Sequence, residues 1–114
     1  MGLMCKSLFG IIFVLFTNMS ISQSIFSVEY SSQADLKVFV VDYASQADLH
    51  VFKVNYRSQA KENEGLWYFV DYKSQSDKNI FFVNYKSQAD LLIYFVKYRS
   101  QAGWKKNSKK HLMY

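Results

Sequence analysis

The chain has no proline at all, four glycines and a single cysteine in 114 residues. Each scarcity excludes something. Without proline there is no polyproline or collagen-like segment and no proline-punctuated loop. The one cysteine, Cys5, can form neither an internal disulfide nor a multi-cysteine metal centre. Histidine is almost as rare. His50 and His111 stand alone, with no partner at the spacing of a metal site or a catalytic triad. No phosphate-cradling glycine loop and no nucleophile–base set is present, so no catalytic residue, cofactor or metal is expected, and an enzyme is not expected.

The N-terminus reads as a signal peptide over residues 1–22. Lys6 is the only charge before an unbroken apolar run from Leu8 to Phe16, and a small polar stretch, Thr17 to Ser22, follows. Ser20 and Ser22 satisfy the small-x-small rule for cleavage before Gln23. The apolar run is too short to span a bilayer, which takes about 20 residues. Export to the periplasm or exterior is therefore expected. Cys5 would leave with the leader, so the mature domain, residues 23–114, would draw its stability from packing and topology alone.

What is abundant is apolar and aromatic. Half the residues are hydrophobic and 18% are aromatic, which rules out a disordered chain. The tripeptide Ser-Gln-Ala, once Ser-Gln-Ser, begins at Ser32, Ser45, Ser58, Ser74, Ser87 and Ser100, with spacings of 13, 13, 16, 13 and 13. With that serine as position 1, position 10 is Val in every full unit (Val41, Val54, Val70, Val83, Val96). Position 12 is always Tyr and position 8 always aromatic. The segment Ile25 to Ser31 supplies the second half of a unit, so the repeats open close to the expected cleavage point.

Val, Ile, Phe and Tyr fill positions 7 to 12, which predicts one strand per unit. Positions 8, 10 and 12 alternate with a polar position 11 (Glu29, Asp42, Asn55, Asp71, Asn84, Lys97). Positions 5 and 7 are apolar on the opposite phase. Either the strand is covered on both sides where the phase changes, or it bends or bulges there. Ser-Gln-Ala-Asp reads as the connector. Gly65, in a three-residue insertion within KENEGLW, and Gly103, at position 4 of the last unit, mark irregular loops. The periodicity alone predicts an all-β single domain, either a closed β barrel or a β solenoid.

Units of the form SQADLxVFxVxY closing on SQAGWKKNSKKHLMY resemble the septoil knot domain family over about Ile25 to Tyr114. That resemblance implies short strands threaded into a deep seven-crossing torus knot, and it implies no activity or catalytic residue. The departure at Ala60–Leu66 leaves the path of the chain open there.

Several side chains could bind a partner. Gln33, Gln46, Gln59, Gln75, Gln88 and Gln101 could line one rim as hydrogen-bonding groups for an envelope glycan, or they could simply satisfy connector backbone. Lys105, Lys106, Lys109 and Lys110 supply all the positive excess once Lys6 is set aside, and could meet an anionic surface. No basic stripe in the body supports nucleic-acid binding. The expectations are a monomer, a solvated tail with room for Trp104 and Leu112 to pack, structural turn roles for Asp35, Asp48, Asp77 and Asp90, and a core position for the tyrosine column.

Overall fold

The computed structural model describes residues 23–60 and 62–114. The expected signal peptide lies outside the described residues. Seven strands follow one another: β1 Ser24–Ser27, β2 Leu36–Val40, β3 Leu49–Lys53, β4 Leu66–Phe69, β5 Lys78–Phe82, β6 Leu91–Phe95 and β7 Gly103–Trp104. The sheet order is β4-β1-β5-β2-β6-β3-β7, and β4 also pairs with β3, so β1 to β6 close into a six-stranded barrel. All barrel pairings are parallel; β7 alone is antiparallel.

The chain winds round the barrel in two interleaved passes. β1, β2 and β3 take alternate slots, and β4, β5 and β6 fill the slots between them. The register shows how. Ser27 and Leu36 both lie beside Ile80, and Val40 and Leu49 both lie beside Ile93. The chain thus leaves one strand, hops over an intervening strand and resumes at the same level. The hop is two strand spacings, about 10 Å, well within the reach of segment 28–35, on the order of 25 Å if extended. The connector has slack to arch over the strand it crosses.

The six connectors share one geometry. Each contains a 3-10 turn, closed by the position-2 Gln N–H donating to the position-12 Tyr carbonyl at 3.0 Å. The position-10 Val N–H donates to a position-7 carbonyl of a neighbouring strand in all six copies, from Val28 to Ile80 through Val96 to Val51. The turn Ser31–Gln33 packs against β5, Lys73–Gln75 against β1, Lys86–Gln88 against β2 and Arg99–Gln101 against β3. Connectors of each pass therefore clasp strands of the other, which is how a torus knot is tied.

Inside the barrel sit the position-7 residues Ile25, Val38, Val51, Trp67, Ile80 and Ile93, every one fully buried, with Leu36, Leu49 and Leu91 from position 5. Burying one such side chain contributes about 1.5–3 kcal/mol. Position 8 points the other way and is half-buried throughout. Position 10 is buried in the first pass and half-buried in the second. The strand is covered on both sides, so the phase change needs no bulge.

The three-residue insertion explains itself in this frame. A third two-slot hop from β3 would land on the slot already held by β1. Instead β4 docks directly beside β3, Phe52 opposite Leu66 and Lys53 opposite Trp67, and so starts the second pass in an empty slot. The lower half of β3 is left to β7, with Leu49 opposite Trp104 and His50 opposite Gly103. Gly103 thus opens a short strand instead of a loop. Gly65 sits at this seam with φ +83, where an added Cβ would lie 2.4 Å from the His50 carbonyl oxygen. No side chain fits there.

Two expectations are corrected. The tyrosine column is not core: Tyr30, Tyr43, Tyr56, Tyr72, Tyr85 and Tyr98 are each 64–67% exposed. Each barrel strand ends at position 9, so the tyrosine at position 12 lies beyond the sheet, in extended backbone just before the 3-10 turn, where strand alternation no longer sets its face. The tail is not free either: its face stays exposed, but its end packs. Residues Asn107–Met113 form a 3-10 helix that brings Met113 and Leu112 onto the barrel core beside Trp104. Gln23 Nε2 donates to the Met113 carbonyl at 3.1 Å, Asn63 Nδ2 to the Lys110 carbonyl at 2.9 Å, and Trp104 Nε1 to the Asn63 carbonyl at 3.0 Å. An open barrel end of apolar side chains needs a cover, and the tail provides it.

Candidate binding surface

The aspartate column has a definite structural role. Asp35, Asp48, Asp77 and Asp90 each accept the backbone N–H of Asn79, Leu92, Ser24 and Lys37 respectively, at 2.9–3.0 Å. Their own N–H groups donate to the carbonyls of those same residues at 2.7–2.8 Å. Each aspartate is a two-point clip joining one pass to the other. The two units without the acid, at Lys61 and Gly103, are those that make the seam. No group of three or more His, Cys, Asp or Glu side chains able to hold a metal occurs among the described residues. No helix among them is long and apolar enough to cross a membrane.

The six glutamines lie in the six 3-10 turns, which pack on different strands round the barrel. Five side chains are exposed. Gln59 is half-buried, and its Oε1 accepts the Asn55 N–H at 3.3 Å. Three of the four tail lysines face carboxylates. Lys109 lies 3.1 Å and Lys106 3.7 Å from Asp48, and Lys110 lies 3.6 Å from Glu64. Lys105 faces none among the described residues; its backbone N–H donates to the Asp48 carbonyl.

Lys105 instead lines a surface cavity of about 620 Å³ with His50, Tyr94, Lys97, Tyr98 and Gln101. A smaller cleft of about 250 Å³, lined by Ser31, Lys37, Phe81, Val83 and Gln88, occupies the equivalent place in the repeat frame. The larger one sits where the repeat ends. His50 Nε2 donates to the Ala44 carbonyl at 2.9 Å, and the ring lies 6.1 Å from that of Tyr94. This fixes the imidazole orientation and leaves Nδ1 without a partner among the described residues. No carboxylate among the described residues lines the cavity.

The two interleaved passes, clipped by aspartate and crossed by equivalent connectors, have a counterpart among known families: residues 22–105 match the 7(1) septoil knot domain. The chain belongs to the septoil knot domain family. The match stops before the Asn107–Met113 helix, so the tail plug lies outside it, although the resemblance read from the sequence ran through Tyr114. No curated protein and no solved structure matches the chain. Within this septoil knot domain, sequence reasoning set His50 aside as isolated, placed Tyr98 in the core, and did not single out Tyr94 or Lys97 as binding residues. One signal was available. Position 11 is acidic or Asn in five copies and basic only at Lys97.

Proposed function

We propose that this septoil knot protein is an exported, non-enzymatic structural or binding protein whose threaded fold serves durability outside the cytoplasm. The observation that carries the reading is the reciprocal clasping of the two passes. Freeing β1, β2, β5 or β6 requires lifting a connector of the other pass, and the aspartate of that connector clips it to the strand it crosses. Local opening therefore exposes little cleavable chain, and survival becomes a matter of slow unfolding. Export is supported by the charged, apolar and small-polar sequence of residues 1–22, and by a domain match that opens only at residue 22.

The test is digestion by a broad-specificity protease alongside unfolding rates in denaturant. The protein should outlast unknotted domains of equal equilibrium stability by orders of magnitude in half-life. Digestion at the rate of an ordinary small domain would refute the reading.

A second reading is favoured by the exposed tyrosines. Six large exposed rings at equivalent turns, each three residues before a turn glutamine, suit the faces and hydroxyls of a glycan better than they suit folding. An envelope glycan or anionic polymer is the partner class.

A further inference from the structure

We infer that the cavity at the end of the repeat is a binding site for an anionic saccharide, one sugar unit carrying a carboxylate or phosphate. The inference rests on the glycan reading above and narrows it to one place and one charge.

Departures from the repeat converge on this cavity. Position 11 carries Glu29, Asp42, Asn55, Asp71 and Asn84 in the other units, but Lys97 here. Position 6 carries Lys37, Asn79 or Leu92 in other units, but His50 here. Position 4, which supplies the aspartate clip in four units, is Gly103 here. The carboxylate that would face β3 is missing, and the chain turns off to bring Lys105 to the cavity wall. The result is two lysines without ion-pair partners among the described residues, a histidine of fixed orientation and no acid. The rest of the body is balanced in charge, so a pocket of one sign is a local feature and not an overflow of net charge.

Size and lining indicate what would fill it. A volume of about 620 Å³ falls in the range of small-ligand sites, roughly 300–1,000 Å³. Tyr98, about two-thirds exposed, lines the cavity, and the Tyr94 ring lies 6.1 Å from that of His50. The Gln101 amide can donate and accept. Aromatic faces take the C–H face of a pyranose, the amide takes hydroxyls, and the lysines take the acid group. The smaller cleft at Lys37 has a single cation and no tyrosine, and serves as the internal control.

The experiment is an NMR titration of the isotope-labelled protein with trigalacturonate, a hexose 6-phosphate, a neutral trisaccharide and inorganic phosphate. Saturable shifts should appear at Tyr98, Gln101 and Ala102 with at least one of the two acidic sugars, the two arms telling carboxylate from phosphate. The double variant Lys97→Asn with Lys105→Gln should weaken that binding about tenfold or more, while Lys37→Gln leaves it unchanged. Both sets of lysines are exposed, so circular dichroism should show every variant folded. Several results overturn the inference: no saturation with either acidic sugar, equal binding of the neutral one, equal binding of inorganic phosphate, or indifference to the double variant. Shifts scattered over the other tyrosine turns would also overturn it, while leaving the broader glycan reading in place.

Discussion

Asp48 is the point at which the clip, the seam and the tail plug meet, and replacing it with alanine tests all three. The carboxylate is only 1% exposed. It accepts the Leu92 N–H at 3.0 Å and faces Lys109 at 3.1 Å and Lys106 at 3.7 Å. The Leu92 N–H, half-buried between strands, loses its acceptor in the variant, which costs about 1–3 kcal/mol. Lys109, with 36% of its side chain exposed, contributes at most about 1 kcal/mol, and Lys106, 64% exposed at 3.7 Å, nothing measurable. Asp48→Ala should thus cost roughly 3 kcal/mol. Asp90→Ala, which removes an exposed clip to the Lys37 N–H at 2.9 Å, should cost only about 1 kcal/mol because water replaces the carboxylate. Urea unfolding followed by tryptophan fluorescence, with Trp67 fully buried in the native state, reads both, provided unfolding and refolding samples are incubated until their curves coincide. The midpoint should shift at constant slope. If Asp48→Ala costs no more than Asp90→Ala, the burial argument is wrong.

Two further outcomes follow from the same structure. Gly65→Ala must accept φ +83 and a Cβ driven against the His50 carbonyl. The left-handed conformation alone costs about 1–2 kcal/mol, so a larger loss of stability in the same assay is expected, with β7 released from β3. Tyr43→Ser and Tyr85→Ser, at exposed turn positions, should each shift stability by no more than about 0.5 kcal/mol. A drop comparable to that of a core substitution in thermal melts would show that the rings pack.

The sequence alone determined the unit: its length, its strand-and-connector division and its all-β character, because position 8 is aromatic, position 10 is Val and position 12 is Tyr in every copy. The resemblance carried by those units named the family. That the aspartates are structural was legible too, as turn residues, but only the structure showed that they clip one pass to the other. Only the tertiary structure decided which of the two apolar phases faces inward, that the tyrosines stay in water, and that the tail covers the barrel end. The reason is that both faces of each strand are buried by segments far off in sequence. Positions 5 and 7 meet the other strands across the barrel, and positions 8 and 10 meet a connector of the opposite pass. Periodicity records that a residue is covered, and it carries no information about what covers it. The cavity at His50, Lys97 and Lys105 depends on the same non-local fact. These three side chains are spread over fifty-odd residues, and they become one surface only because β6 lies beside β3 and β7 turns back along it.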